Sequence, residues 1–110
     1  MRIPTRLLLG SLFAIASSFA VAADFPTKPV SIVVPFGVGG TTDLIARLLG
    51  AEMAKKLGQS VVIINKGGGA GIIGATEVAK AQNDGYTLGM LPVGPLTTQP
   101  NLHRLFYGPE

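Results

Sequence analysis

The stretch SVVIINKGGGAGIIGATEVAKA, residues 60–81, carries the signals that decide the fold class. Its branched apolar start is typical of a buried strand, and its end, ATEVAKA, is typical of a helix. Between them, Gly69, Gly71 and Gly74 have the G-x-G-x-x-G spacing of loops that bind a pyrophosphate where a strand turns into a helix. The stretch therefore predicts a strand, a glycine-rich loop and a helix, and it leaves open what the loop binds.

The same alternation extends to both sides of this stretch. Residues 30–35, VSIVVP, predict a strand, and residues 36–43, FGVGGTTD, form a glycine-rich turn that leads into a helix. Residues 86–91, YTLGML, predict a third strand, which is followed by a loop and a short last helix with Pro100 in its first turn. The order β-α-β-α-β-α, with right-handed connections, predicts an α/β fold with parallel strands and helices on the faces of the sheet.

The first of these helices has clear boundary signals. Thr41, Thr42 and Asp43 are each suitable as its N-cap, and Gly58 suits the position just after its C-terminus. The next helix is expected from about residue 75 to residue 81. The apolar residues that recur at helical spacing in the first helix are Leu44, Ile45, Leu48, Leu49, Met53 and Leu57.

Three loops follow the carboxyl ends of the predicted strands, which is where ligands bind to open parallel sheets. The first two loops lead into helix N-termini, whose unpaired N–H groups and positive dipole end favour an anion. Thr41, Thr42, Thr97 and Thr98 add hydroxyl groups that can hydrogen-bond carboxylate oxygens. We therefore expect a ligand site along this rim, in preference to loops that merely turn the chain.

The residues do not favour a nucleotide as the ligand. A dinucleotide site needs an acidic residue about 20 positions after its glycines, and residues 90–94 contain none. Lys66 precedes the glycines, so the order of a phosphate-binding P-loop is absent as well. Without Arg2 and Arg6, the nine Lys and Arg residues fall to seven against six Asp and Glu, and this near-neutral balance gives no basis for nucleic-acid binding.

The rim is also poor in groups that could catalyse a reaction. Asp43 is the only acid in its loops and fits equally well as an N-terminal helix residue, while His103 is the only histidine of the chain. The sequence contains no cysteine and no cluster typical of a metal site. We predict that the chain is not an enzyme and that it has no cofactor, no metal and no catalytic residues.

The N-terminus indicates export from the cytoplasm. Arg2 and Arg6 precede a short apolar run over residues 7–19, and Ala20-Val21-Ala22 fits a small-residue cleavage site. Ser11, Ser17 and Ser18 interrupt the apolar run, which is shorter than the roughly 20 apolar residues of a membrane span. Residues 1–23 are therefore predicted to be a cleaved signal peptide, and the protein is expected in the periplasm.

Four motifs, in this order and spacing, resemble a known family: VPFGVGGTTDLIAR, GAGIIGATEVAKA, DGYTL and GPLTTQPNL. Together they are similar to the N-terminal part of Bug-type receptors, the TctC-like periplasmic solute-binding proteins of tripartite tricarboxylate transporters. The resemblance runs from about Pro26 to Tyr107. It implies a two-domain periplasmic-binding-protein type II (Venus flytrap) fold, of which residues 24–110 supply the first part of domain one, with the second domain absent.

The resemblance also implies a site and its partners. In such receptors the loops after the first two strands grip one carboxylate of a small organic acid, partly through bridging waters, and membrane subunits of the transporter receive the ligand. We expect the receptor to be a monomer. The site residues implied are Phe36, Gly39, Gly40, Thr41, Thr42 and Asp43 in the first loop, Ala70, Gly71 and Ile72 in the second, and Val93 and Gly94 in the third.

The second loop departs from the family pattern. Where the family often has N-R-P-G-A-G-G-N-I-G, this chain has N-K-G-G-G-A-G-I-I-G, so Ile72 stands where an amide side chain is common. We expect this change to make the site more apolar and to alter ligand preference. Because the second domain is absent, we also expect the 110-residue chain alone to show no affinity for organic acids that calorimetry can measure.

Three functional hypotheses follow, besides that of a non-functional fragment. The first is a solute-binding protein that delivers a carboxylate-bearing solute to a transporter, and the second is a receptor that signals its ligand-bound state to a partner. The third is a secreted enzyme whose catalytic residues lie beyond Glu110. Neighbouring genes for transporter subunits or for a two-component sensor would separate the first two hypotheses, and an acid/base pair beyond the chain would be needed for the third.

Overall fold

The computed structural model describes residues 24–107. They form a three-stranded sheet in the order β2-β1-β3, with β1 at Val30–Val34, β2 at Val61–Asn65 and β3 at Thr87–Gly89. Both neighbours run parallel to β1, Val30 lying opposite Val61 and Ser31 opposite Thr87. The predicted α/β fold with parallel strands is confirmed, and the signal peptide predicted for residues 1–23 lies outside the described residues.

Helices connect the strands on opposite faces of the sheet. The first helix, α1, spans Thr41–Leu57, and the second, α2, spans Ile72–Lys80 after a 3₁₀ turn at Gly69–Gly71. The chain steps from β1 to β2 in one direction and from β2 past β1 to β3 in the other, so right-handed connections place α1 and α2 on different faces. Among the described residues, no helix combines the length and the apolar character that crossing a bilayer requires.

The structure corrects the predicted start of α2 and extends the last helical segment toward the N-terminus. Helix α2 begins at Ile72 and not near residue 75, because the left-handed turn at Gly69–Gly71 ends there and Ile72 is the first residue with right-handed helical angles. The last helical segment begins with a π-helical turn at Gly94–Thr98, which continues into α3 at Gln99–Leu102. Pro100 lies in the first turn of α3, as predicted. Pro95 lies in the first turn of the π-helical segment, where a missing N–H group breaks no hydrogen bond.

The core lies around β1, whose residues are almost completely buried. Ile32 and Val34 face α1 and pack against Ala46, while the alternation of side chains along a strand points Val33 to the opposite face. On that face, α2 contributes the buried Ala75. A central strand that is covered on both faces explains why VSIVV reads as a continuous apolar run.

Helix α1 approaches the sheet through small residues. Its buried positions are Asp43, Ala46 and Gly50, and a Cβ atom on Gly50 would lie 3.2 Å from side-chain atoms of Val61 and Ile63. Met53 packs against the core and Leu57 is half-buried. The other larger apolar residues are about half or more exposed: Leu44 (55%), Ile45 (51%), Leu48 (72%) and Leu49 (45%). The spacing of the leucines therefore predicted the helix but not its packed face, because close packing on the strands needs small side chains.

Helix α2 also approaches the end of β1 at a glycine. A Cβ atom on Gly74 would lie 2.7 Å from Cα and 2.8 Å from Cβ of Pro35, and 2.9 Å from the carbonyl oxygen of Lys66. Two of these three atoms belong to the backbone, so the neighbours cannot give way by changing a rotamer.

We expect Gly74→Ala to lower the free energy of unfolding by about 1–3 kcal/mol, the usual cost of overpacking. This loss exceeds the gain of about 1 kcal/mol that alanine brings to a helix interior. Gly37→Ala is the matched control, since a Cβ atom there meets nothing within 4 Å, and we expect it to be neutral or stabilising by up to about 1 kcal/mol. Urea unfolding of both variants measures the difference, and equal midpoints would contradict the close contact.

Candidate functional site

The three loops at the carboxyl ends of the strands meet around Gly71. A Cβ atom on Gly71 would collide with Cγ of Pro95 in the third loop and would lie 3.4 Å from Cζ of Phe36 in the first loop. Because α1 follows β1 on one face and α2 follows β2 on the other, the loops after these two neighbouring strands diverge, and open α/β sheets bind ligands at such carboxyl ends. The structure thus brings the predicted first and second loops together, with the start of the third beside them.

The first loop ends at an open helix N-terminus. Gly40 is the N-cap of α1 and makes no side-chain cap, so the prediction that Thr41, Thr42 or Asp43 is the N-cap is wrong. The extended backbone at Gly40 is accessible to any residue. Because glycine has no side chain, no capping group covers the N–H groups at the start of the helix. The first hydrogen bond of helix α1 runs from the N–H of Leu44 to the carbonyl of Gly40. The N–H groups before Leu44 therefore have no partner within the helix.

Asp43, at the third position of α1, is only 1% exposed. Its Oδ2 accepts hydrogen bonds from the backbone N–H of Gly39 and from Nε of Arg47, both at 2.9 Å, and its Oδ1 accepts one from Nδ2 of Asn65 at 2.9 Å. The hydrogen bond from Arg47, followed by those from Gly39 and Asn65, outweighs desolvation and lowers the pKa of Asp43 to about 2. The carboxylate is therefore ionised at neutral pH, and its protein partners occupy both oxygens.

Arg47 and Asn65 complete this network, and sequence reasoning missed both. Nδ2 of Asn65 also donates to the carbonyl oxygen of Phe36 at 3.1 Å, and its Oδ1 accepts from Nη2 of Arg47 at 3.3 Å. The spacing of Asp43 and Arg47, four residues apart on one helix, was a usable signal for their ion pair. The position of Asn65 at the carboxyl end of β2 was a weaker signal, because nothing local shows which loop its side chain reaches.

The second loop is a left-handed turn. Gly69, Ala70 and Gly71 have φ angles of 55°, 53° and 93°, and alanine in this region costs roughly 1–2 kcal/mol. The N–H of Gly71 donates to Gly68, and that of Ile72 donates to Gly69. Two of the amides expected to face a ligand are thus used within the turn, which leaves the exposed Ala70 at the tip of the loop.

The remaining predicted residues lie around this centre. Ile72 is half-buried at the start of α2, and Val93 is 71% exposed beside Gly94, which begins the π-helical turn. The hydroxyl of Thr97 donates to the carbonyl of Val93 at 2.9 Å, so it is used within its own helix. The ligand-binding role predicted for the loop residues stays a prediction.

Charged side chains near the second loop are paired with each other. Nζ of Lys66 lies 3.4 Å from Oε2 of Glu77, and both side chains are close to half exposed. Within residues 24–107 no three His, Cys, Asp or Glu side chains lie close enough together to hold a metal ion. At this rim the backbone amides at the start of α1 carry the positive end of the helix dipole.

A rim of glycine loops, helix N–H groups and an internally paired carboxylate is suited to holding an anion and has no evident acid or base. The sequence profile of the tripartite tricarboxylate transporter family receptor, TctC, matches residues 45–109. The chain belongs to this family. The TctC assignment agrees with the resemblance drawn from the motifs.

Known proteins similar to this TctC-family chain are much longer than it. Protein BugT of Bordetella pertussis is 46% identical over 88 residues, which cover 76% of this chain and 27% of BugT. The structure of MatC from Rhodopseudomonas palustris with bound malate has a TM-score of 0.58 at 54% identity, over 59% of this chain and 22% of MatC. That of Rpa4515 from R. palustris with adipate has a TM-score of 0.59 at 52% identity, over 60% of this chain and 22% of Rpa4515.

The chain thus spans about a quarter of the length of these relatives. Its structural neighbours include the periplasmic binding protein BugD and a TctC solute-binding protein from Polaromonas. They are binding proteins and not enzymes, in agreement with the prediction for this chain.

The depressed pKa of Asp43 predicts how stability depends on pH. Because the folded-state pKa, about 2, lies below the ordinary value of 3.8, the stabilisation is complete above about pH 4 and is lost as the pH falls through 2. We expect Asp43→Asn to be less stable than the wild type at pH 7 and to lose less stability between pH 4 and pH 2. Thermal unfolding at pH 7, 4 and 2 measures both effects.

Glu52→Gln is the control for this experiment, because the side chain of Glu52 is 63% exposed and pairs only with Lys55 on the helix surface. We expect the melting temperature of the control at pH 7 to stay close to that of the wild type, because a surface ion pair contributes at most about 1 kcal/mol. A pH profile of Asp43→Asn that parallels the wild type would show that the Asp43 network does not stabilise the fold.

Proposed function

We propose that the rim of this chain captures one carboxylate group of a small organic acid, as one wall of the binding cleft of a periplasmic receptor. The observation that carries the proposal is the N-terminus of α1, whose first N–H groups have no helical partner and lie at the end of the first loop, on the rim where the loops approach each other at Gly71. The malate in MatC and the adipate in Rpa4515 support this ligand class, since both are dicarboxylates.

The charge at this helix start suits a carboxylate. Asp43 is negative and lies within the first turn, but Arg47 neutralises it through a direct ion pair at 2.9 Å. The dipole of α1 and its free amides are then not opposed by an unpaired charge, and the exposed Thr41 and half-buried Thr42 can add hydroxyl donors. One carboxylate group, together with bridging waters, is a suitable ligand for such a site.

Family membership supports the wider role that we propose. In this proposal residues 1–23 direct export and are removed, and residues 24–110 form part of the first domain of a monomeric receptor. A second domain would close over the other end of the ligand, and the closed receptor would deliver it to the membrane subunits of a tripartite transporter. A single wall buries little of a ligand, so we expect the 110-residue chain to bind only weakly, with a Kd of about 1 mM or higher, which corresponds to about 4 kcal/mol or less.

An NMR titration of the isotope-labelled chain with adipate tests this function. We expect the N–H resonances of Thr41, Thr42 and Ala70 to shift as adipate is added, with shifts that weaken at high salt because a helix terminus attracts the anion. The matched control is the diamide of adipic acid, which has the same length and no charge. Calorimetry of the same samples should detect no tight binding.

Two results would refute the proposed function. Equal shifts with the diamide would show that the carboxylate is not what the rim recognises. Shifts confined to exposed lysines such as Lys55 and Lys56 would show that the acid binds to the surface charge and not to the crevice.

Ile72 is the residue that we expect to tune ligand preference. Ile72→Asn replaces an apolar group at the start of α2 with an amide that can hydrogen-bond the hydroxyl group of malate, a gain of about 1 kcal/mol. We expect the ratio of malate to adipate affinity to rise by about fivefold. Leu48→Asn, at a site that is 72% exposed on α1, is the control and should leave the ratio unchanged. An unchanged ratio in Ile72→Asn would mean that Ile72 points away from the crevice.

A further inference from the structure

The side chain of Asn65 connects two of the loops at the rim. Asn65 is the last residue of β2, directly before the second loop, yet its amide reaches the first loop and α1. Nδ2 donates to the carbonyl oxygen of Phe36 at 3.1 Å and to Oδ1 of Asp43 at 2.9 Å, while Oδ1 accepts from Nη2 of Arg47 at 3.3 Å. A carbonyl and a carboxylate can only accept and a guanidinium can only donate, so this arrangement fixes the orientation of the amide.

These contacts hold Phe36 at two points. Its carbonyl oxygen is bound to Asn65, and its ring lies against Gly71 of the second loop. The start of α1 is fixed in turn through Asp43, which accepts from Asn65 and from the N–H of Gly39. The carboxamide of Asn65 thus links the end of β2 both to the first loop and to the start of α1.

We propose that Asn65 is a positioning residue of the carboxylate site, which holds the first loop against the second and keeps the amides of α1 directed into the crevice. This inference rests on the proposed carboxylate-binding function. Asn65 acts through Phe36 and Asp43 and needs no contact with the ligand. We accordingly expect Asn65→Asp and Asn65→Ser to weaken ligand binding although neither substitution removes a contact with the ligand.

The charged surroundings of Asn65 make an aspartate substitution informative. From α1 the facing groups are Asp43 and Arg47, and the following residue of the second loop, Lys66, is paired with Glu77 of α2. Strands β1 and β3 contribute no ionisable side chain. Asn65→Asp would therefore set a second carboxyl group directly against Oδ1 of Asp43, and two carboxyl groups in contact cannot both ionise, so one pKa of the pair must rise.

The test compares Asn65→Asp with Asn83→Asp, the same chemical change at an exposed turn residue. A group whose pKa is raised in the folded state stabilises the fold at low pH, and this stabilisation is lost as the pH rises through the raised pKa. We therefore expect the melting temperature of Asn65→Asp to be several degrees higher at pH 5 than at pH 7, a rise that the wild type and Asn83→Asp do not show. Folding at pH 5 but not at pH 7 would be the same result in a stronger form.

Asn65→Ser, which removes the amide without adding charge, tests the positioning itself at pH 7. We expect it to stay folded, to shift the N–H resonances of Gly39 and Gly40 in the absence of ligand, and to bind adipate about tenfold more weakly than the wild type. Asn83→Ser is the control and should match the wild type in both measurements.

The outcomes separate this inference from the function on which it rests. Wild-type resonances at Gly39 and Gly40 in Asn65→Ser, or wild-type adipate affinity in that variant, would overturn the positioning role. A pH profile of Asn65→Asp equal to that of Asn83→Asp would overturn the contact with Asp43. If the wild-type chain itself does not respond to adipate, the proposed function fails, and the ligand-free spectra and pH profiles still decide whether Asn65 holds the loop.

Discussion

The buried carboxylate of Asp43 is the constraint on which the rim of this protein depends. It is 1% exposed and is held by donors from three places: the backbone of the first loop, the next turn of α1 and the end of β2. A buried charge is tolerated only when its partners are in place, since an unpaired one costs far more than the pair contributes. The network therefore fixes where α1 begins relative to the sheet, and through Asn65 it also fixes where the second loop begins.

A second constraint is one of size. Gly50 lets α1 lie close to β2, Gly74 lets α2 lie close to the end of β1, and Gly71 leaves room for Pro95 of the third loop and Phe36 of the first. At each position a methyl group would approach its neighbours to 3.2 Å or less. These glycines allow two helices and three loops to pack together at one edge of a small sheet.

The resulting site is suited to binding an anion and not to catalysing a reaction of it. The one acid of the crevice is committed to the fold, and the free donors are backbone amides at a helix N-terminus, which attract a carboxylate without a mobile side chain. This arrangement agrees with membership of the TctC family and with relatives that hold malate and adipate. The chain spans about a quarter of the length of those relatives, and in the proposed function its rim is one wall of the cleft.

The sequence by itself determined the strands, the parallel α/β order, the glycine-rich loops and the family, because these depend on local periodicity and on motifs in a fixed order. It predicted neither the packed face of α1 nor the partners of Asp43. The leucines indicated a helix, but the sheet selected the small face of Ala46 and Gly50, and the amides expected at Gly39, Gly71 and Ile72 proved to bond within the protein. The contacts of Asn65 join residues that are distant in sequence, since Arg47 is 18 and Phe36 is 29 positions away. Only the packing of helix on sheet brings them within hydrogen-bonding distance.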